Sequence, residues 1–358
     1  MRVFVGPAPE GITGQSIAFA AAAKLARPGD AVIYNGCWGD RGPHKITRFL
    51  GAWARLIGIV ATRRVTTVYI TTSRTPAGFV RDALLILTAR TFRRPRIVNH
   101  LHGSDFAAFR DEAPILLKWA IDFVYSQISC SVVPHDCMVD QYAAYPSMDL
   151  TAVPNFVPAE LMASRPARPP DRKSTKVNVL FLSNLIAEKG IVETIAAVDM
   201  LALDGFPILL SIAGFGEEDA LIALTKKAFG AGYEPGEHIQ LLGPLYAEDK
   251  IDAYNSADIF VLPSYYPSEA FPLAALEAMA FGCALVLSDF KYLPRIFGAA
   301  GARFVTPRSA KGLQEALLPL CVEPELRLAL GHQNWRAAAV FTEDVYRARL
   351  AEIIDSPA

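Results

Sequence analysis

The chain has 358 residues, 52% of them hydrophobic and 20% charged. That balance excludes a disordered protein, and the length exceeds what one hydrophobic core usually fills, so two domains are expected. The net charge of −1 excludes a strongly basic nucleic-acid binder, but it hides an asymmetry: residues 1–157 carry 17 Lys+Arg against 11 Asp+Glu (+6), and residues 158–358 carry 18 against 25 (−7). Such a split suggests that the two halves face different partners.

Five cysteines, an odd count with no CxxC and no His-linked metal spacing, read as buried thiols in a reducing compartment. The N-terminal MRVFVGPAPEG has too short an apolar run for a signal peptide. No stretch of about 18 residues is apolar enough to span a bilayer. The expected location is the cytosol, or the periphery of a membrane on its cytosolic face.

Strand-like apolar runs alternate with helix-length segments along nearly all of the chain, which is the pattern of an α/β fold with parallel sheets. Arg2–Val5 reads as a strand and Gln15–Ala26 as a helix. Between them lies GPAPEGITG (6–14), longer than a strand-to-helix turn needs, with glycines that let a ligand approach the backbone. It is not GxGxxG, which speaks against a nicotinamide cofactor. Asp30–Tyr34 is the next strand. His44–Val60 reads as a helix with Lys45, Arg48 and Arg55 on one face and Phe49, Trp53, Leu56 and Val60 as its apolar surface. Two readings stay open for it: an amphipathic helix lying on an anionic membrane, or a surface helix with a solvated basic face.

Val65–Thr71, the helix Ala77–Thr91 and the strand Ile97–His100 follow, and the last ends in HLHGSDF (100–106). The carboxyl ends of strands in open α/β sheets form ligand crevices. His102 there suits proton sharing or a hydrogen bond to a hydroxyl. His100 alternates with it, so it is expected to point to the other face and to be structural. Phe106–Ser126 reads as one long helical region, Cys130–Val133 as a strand, 133–142 as a helix, and Thr151–Val153 as a short strand leading into PNFVP (154–158). Ser164–Lys176, rich in Pro, Arg and Lys without apolar periodicity, reads as an interdomain linker. The expected domains are 1–163, taking back a last helix at about 341–358, and 177–340.

The second half restarts the pattern. Strand Val177–Leu182 runs into SNLIAEKG (183–190) and a helix to about Leu203; strand Ile208–Ala213 runs into GFGEED (214–219). Strands Ile239–Leu242 and Ile259–Leu262 flank a helix at 247–256, and helices at about 309–319, 323–340 and 342–355 finish the chain. The most informative stretch is Leu262–Asp289, LPSYYPSEAFPLAALEAMAFGCALVLSD. Glu269 closes a loop, Pro272 is expected in the first helical turn, Glu277 lies inside the helix, and Gly282 ends it. Two carboxylates thus flank a helix N-terminus at the end of a parallel strand, a place suited to a diphosphate. Glu277 sits among apolar neighbours and should have a partner.

Glu269-x7-Glu277, the lysine loop SNLIAEKG, the AGFGEE turn, the VPNFVP exit and the HLHG strand end, in this order, resemble the retaining group 1 glycosyltransferases of family 4, over the whole chain. The resemblance implies a GT-B fold: two Rossmann-like domains whose parallel sheets face a central cleft. It implies a UDP- or GDP-linked sugar as donor, no resident cofactor, and a saccharide or lipid-linked saccharide as acceptor, as in cell-surface polysaccharide synthesis. Lys189 would pair with the diphosphate, Glu277 with the ribose and Glu269 with the transferred sugar. His102 would lie near that sugar. Ser183, Asn184, Gly214 and Ala270 would line the donor site, with backbone N–H groups of Phe271, Leu273 and Ala274 toward the phosphates and Gly14 approaching from the other domain.

One departure stands out. Family members often carry Gly-Arg before the lysine loop, whereas Ser183-Asn184 stands here, so one cation is lost from the usual pair. No Asp-x-Asp metal motif is present, and the leaving group's charge is expected to be met by Lys189 and the helix N-terminus, without a metal. Rival readings are a two-lobed sugar or nucleotide binder without chemistry, and a transferase acting on a small soluble acceptor. Phosphorylases of the same fold need a pyridoxal lysine and a much longer chain.

Overall fold

Apolar runs buried on both faces build the architecture: among the described residues of the computed structural model, twelve strands form two six-stranded sheets, parallel throughout. The structure describes the chain apart from residues 11–12, 37–42, 93, 172–175, 217, 231, 235 and 357–358. Parts of the expected GPAPEGITG loop, linker and GFGEED turn, and Cys37, therefore lie outside the described residues.

The chain divides into two units, Met1–Phe156 with Glu343–Ala358, and Val157–Thr342. The first runs β1 (Arg2–Gly6), α1 (Gly14–Ala23), β2 (Ala31–Tyr34), α2 (Pro43–Thr62), β3 (Thr67–Thr71), α3 (Pro76–Phe92), β4 (Arg96–His100), α4 (Phe106–Asp111), α5 (Ile115–Tyr125), β5 (Cys130–Val133) and β6 (Asp149–Ala152). Its sheet has the order β2-β1-β3-β4-β5-β6. The chain leaves β1 for one edge and crosses back to β3, so the order reverses between those two strands. Every residue of β1, β3, β4 and β5 is buried, which is why the sequence shows continuous apolar runs rather than alternation.

The single helix expected over 106–126 is two. Pro114 takes the N-cap of α5 with φ −52° and ψ 147°; its ring and missing N–H are incompatible with a helix interior, and α4 has ended at Asp111. The stretch 133–142 forms 3₁₀ turns over Asp136–Tyr142 rather than a full helix.

The second unit runs α6 (Ala159–Ala163), β7 (Val177–Leu182), α7 (Ile191–Leu203), β8 (Ile208–Ala213), α8 (Glu218–Phe229), β9 (Ile239–Gly243), α9 (Ala247–Ser256), β10 (Ile259–Leu262), α10 (Leu273–Ala280), β11 (Ala284–Ser288), α11 (Leu293–Phe297), β12 (Arg303–Val305), α12 (Ala310–Val322) and α13 (Pro324–Ala337). The last helix, α14 (Glu343–Asp355), is in the first unit. The second sheet has the order β12-β11-β10-β7-β8-β9. From β7 the chain builds outward to β9, then returns to the other side of β7 at β10. The reversal lies between β7 and β10, and loops leaving those two strands border a natural binding crevice.

The units divide at Phe156/Val157, which corrects the linker placed at 164–176. Val157 and Leu161 join the core of the second unit. The Pro-rich segment is held against α13: the Arg165 guanidinium lies 4.0 Å from the Trp335 ring, and Trp335 Nε1 donates to Pro166 O at 3.1 Å. Segments without apolar periodicity still pack when cation–π and side-chain hydrogen bonds hold them. On α14 the buried apolar residues are Tyr346, Leu350 and Ile354, spaced by four, in one core with Phe4 and Phe156. Among the described residues no helix is long and apolar enough to cross a membrane, and Cys130, Cys137, Cys283 and Cys321 are free thiols.

Candidate active site

α10 begins one residue later than the sequence suggests. Pro272 is its N-cap, extended at φ −64° and ψ 120°, without a side-chain cap. Leu273 and Ala274 are then the first helical residues, whose N–H groups have no intrahelical acceptor. Gly282 ends the element with φ +73°, the left-handed conformation that glycine adopts without a Cβ clash. Ala270 and Phe271 are buried, and Phe271 packs edge-on against Phe297 and Phe341, at 5.4 and 6.0 Å between ring centroids. These contacts fix the turn that enters the helix.

Glu277 is 1% exposed. Its Oε2 accepts from Tyr254 Oη at 2.7 Å and pairs with Lys250 Nζ at 2.7 Å, both from α9. Its Oε1 has no hydrogen-bond partner. A buried carboxylate with one oxygen anchored and the other unpartnered is a poised acceptor. Sequence reasoning missed Lys250 and Tyr254. The available signal was their spacing of four on one helix, a cation and a phenol on one face, but nothing in the sequence says which way α9 turns.

Lys189 and Glu269 meet across the sheet reversal. Lys189 sits in a 3₁₀ turn, Ala187–Lys189, closed by Gly190 at φ +80°. A Cβ at Gly190 would come within 2.6 Å of Pro263, so the loop after β7 lies directly on the loop after β10. Tyr265 N donates to Glu188 O at 2.8 Å and fastens the two loops. Lys189 Nζ is 2.8 Å from Glu269 Oε2 and 4.9 Å from the centre of the Tyr266 ring. Both side chains are largely buried, 14% and 7% exposed.

Ser183, Asn184 and Gly214 lie at the carboxyl ends of β7 and β8. Ser183 N donates to Ala213 O at 3.1 Å and Leu185 N to Phe215 O at 2.8 Å. Gly214 has φ +146°, and a Cβ there would be 1.6 Å from Ser183 O; any larger residue displaces the strand end that carries the lysine loop. Asn184 is exposed.

In the first unit Gly14 is the exposed first residue of α1, behind the N-cap Thr13. His102 follows β4. It does not point away from His100: the rings stack at 4.1 Å between centroids, 26° between planes. β4 ends at His100, so the two-residue alternation does not extend to His102. His100 Nδ1 is 2.8 Å from Tyr69 Oη, and His102 Nε2 has no hydrogen-bond partner. Burial, helped by the Arg74 guanidinium, pushes His102 down to about 3; burial, helped by His102, holds His100 well below the usual imidazole range. Both rings are neutral at pH 7. Arg74 itself pairs with Asp105 at 2.5 Å, packed where a Cβ on Gly103 would be.

These two rings make a prediction. An unfolded histidine takes up a proton near pH 6.5, whereas the folded ones resist it, so the stability they contribute is complete above pH 6.5 and is lost as pH falls toward the folded value. Each imidazole should give a slope of about 1.4 kcal/mol per pH unit through pH 6 to 4. Urea titrations across that range should show a shallower slope in His102→Asn; an unchanged slope contradicts the burial of a neutral ring.

Lys45, Arg48 and Arg55 are exposed on α2, while Ala52, Leu56 and Val60 of that helix are buried. Trp53 Nε1 donates to Thr88 Oγ1 on α3 at 2.9 Å. Among the described residues no cluster of three or more His, Cys, Asp or Glu side chains is arranged to hold a metal ion.

Residues 166–335 match the family "Glycosyl transferases group 1". Over 244 residues the chain is 28% identical to a glycogen synthase of Mycobacterium tuberculosis, covering 64% of this chain and 56% of that one. It is 28% identical over 178 residues, 49% of this chain and 44% of the relative, to the N,N'-diacetylbacillosaminyl-diphospho-undecaprenol alpha-1,3-N-acetylgalactosaminyltransferase of Campylobacter jejuni. The chain thus spans about half the length of these curated relatives. Its fold is similar to that of Anabaena Alr3699/HepE, solved in complex with UDP-glucose, with a TM-score of 0.74, 15% identity and 99% of each chain covered. The family match lies on the unit that carries Lys189, Glu269 and Glu277, so that unit is similar to the group 1 glycosyltransferases, and the two parallel α/β units have the GT-B fold.

Proposed function

We propose that the protein transfers a sugar from a UDP- or GDP-linked donor to a saccharide or lipid-linked saccharide acceptor, with retention at the anomeric carbon and without a metal, as a family 4 enzyme. The observation that carries the donor half is Glu277: a buried carboxylate anchored through Oε2 with Oε1 unpartnered, in the helix whose N-terminus borders the sheet reversal. Oε1 accepts from the ribose hydroxyls. The N–H groups of Leu273 and Ala274 and the Lys189 ammonium take the diphosphate. Glu269, held by Lys189, orients the hydroxyls of the transferred sugar. Gly14 and neutral His102 act from the first unit, His102 through a hydrogen bond to a sugar hydroxyl.

As the bond to the leaving diphosphate breaks, negative charge builds on the phosphate oxygen nearest the sugar, and Lys189 and the helix N-terminus stabilise it. The acceptor hydroxyl attacks from the same face and passes its proton to that departing oxygen. The lipid-linked acceptor, on the cytosolic face of a membrane met by the basic first unit, draws support from the Campylobacter relative's name and from the exposed Lys45, Arg48 and Arg55. NMR of the product's anomeric proton tests the mechanism: the donor's configuration is expected in the product, and inversion overturns the same-face step.

A further inference from the structure

α5 turns an apolar face to solvent. Ile115, Leu116, Trp119 and Phe123 are 66%, 80%, 70% and 61% exposed. On a helix of 3.6 residues per turn these four fall within an arc of about 100°, opposite the buried Ile121, Val124 and Tyr125. Single exposed apolar residues are ordinary, but a stripe of four large ones that includes Trp and Phe marks an interaction face. The donor and sugar roles assigned above use none of these residues.

Charge indicates what covers it. α2 packs beside α3, and α3 beside α5, in one helical layer of the first unit. The three helices carry six Lys or Arg against two Asp, net +4. Asp82 is buried and accepts from Ser73 N at 2.6 Å, and Asp122 is held by Arg110 at 2.5 Å and Tyr145 Oη at 2.9 Å. Lys118 pairs with Asp111 at 3.0 Å and Arg81 with Asp82 at 3.1 Å, so the exposed positive charge of the layer lies on α2, at Lys45, Arg48 and Arg55. Exposed Ile46 and Leu50 lie among Lys45 and Arg48 on α2. Apolar anchors among cations match an anionic lipid interface, where rings and leucines enter the acyl boundary and cations meet lipid phosphates. A second copy of the chain would instead bring two positive layers together.

We propose that α5 is a membrane anchor that inserts Leu116, Trp119 and Phe123 into an anionic lipid surface. It deepens the lipid-linked acceptor reading and rests on it only for its purpose, because lipid binding is measured without any substrate. The test is sedimentation of the full chain with vesicles of phosphatidylglycerol and phosphatidylcholine, against phosphatidylcholine alone. The wild type should pellet with the anionic vesicles, and brominated acyl chains should quench its tryptophan emission. Combined Leu116→Ser, Trp119→Ser and Phe123→Ser should lower partitioning at least tenfold with unchanged circular dichroism and Tm, and Trp119→Phe should remove most of the quenching. Serine variants that pellet like the wild type, or equal binding to neutral vesicles, overturn the proposal. So does a dimer seen by light scattering that the serine changes convert to monomer without any lipid binding, which assigns the face to a second copy. Nucleotide-sugar binding without lipid should be the same in all these variants, so a failure of the anchor and a failure of the transferase reading are distinguishable.

Discussion

Glu277→Gln should weaken nucleotide-sugar binding by about ten- to a hundredfold while the protein stays folded. The change is isosteric, so the pocket keeps its shape. What is lost is charge: a hydrogen bond from a ribose hydroxyl to a carboxylate is worth about 1.5–3 kcal/mol, and each tenfold in affinity is about 1.4 kcal/mol. A modest fall in Tm should accompany it, because Lys250 Nζ loses its anionic partner at 2.7 Å. Lys250→Met separates the two effects. It leaves Glu277 with Tyr254 at 2.7 Å and should raise KM for the donor with kcat nearly kept, since Lys250 positions the carboxylate and does not touch the reacting atoms. Isothermal titration and steady-state kinetics on the two variants check this; equal donor affinity in Glu277→Gln and wild type removes Glu277 from the site.

Lys189→Ala should lower kcat by about a hundred- to a thousandfold, the range seen when one preorganised group facing developing charge is removed. Asn184 offers no second cation beside it, so on the proposed reading Lys189 would carry more of that task than in a two-cation site. The loop should keep its form, since Gly190 and the Tyr265–Glu188 hydrogen bond hold it independently of the ammonium. The Lys189–Glu269 pair is largely buried, and removal of one partner of such a pair costs about 3–5 kcal/mol. Lys189→Ala should therefore also lower Tm, and Lys189→Ala combined with Glu269→Gln should restore it without restoring kcat. If kcat recovers along with Tm, the lysine acts as a structural partner of Glu269 and not on the leaving group.

Much of the fold was legible because a parallel sheet buries both faces. β1, β4, β7 and β10 read as short apolar runs between turn residues, and Gly282 marked a helix end that the structure places at positive φ. The places of three candidate residues were also legible: Lys189 and Glu269 stand on the loops that leave β7 and β10, and Glu277 stands inside α10. Three things were not. The pairing of Lys250 and Tyr254 with Glu277 depends on how α9 is rotated, which α9's own pattern does not reveal. The stacking of His100 on His102 depends on where β4 stops, one residue before a two-residue alternation would be tested. The division at Phe156/Val157 was masked because the Pro-rich segment after it looks like a free linker, while Arg165 and Trp335 hold it to α13. The exposed face of α5 was hidden by the same limit, because an apolar residue in a sequence does not say whether it is covered.

The most direct measurement is a calorimetric titration of the wild type, Glu277→Gln and Lys189→Ala with UDP-, GDP- and ADP-sugars. A saturable one-to-one complex of the wild type with a UDP- or GDP-sugar, weakened in both variants, is the result expected of a nucleotide-sugar site between the loops after β7 and β10. Absence of binding by any of the donors, or binding that both variants retain in full, would contradict it.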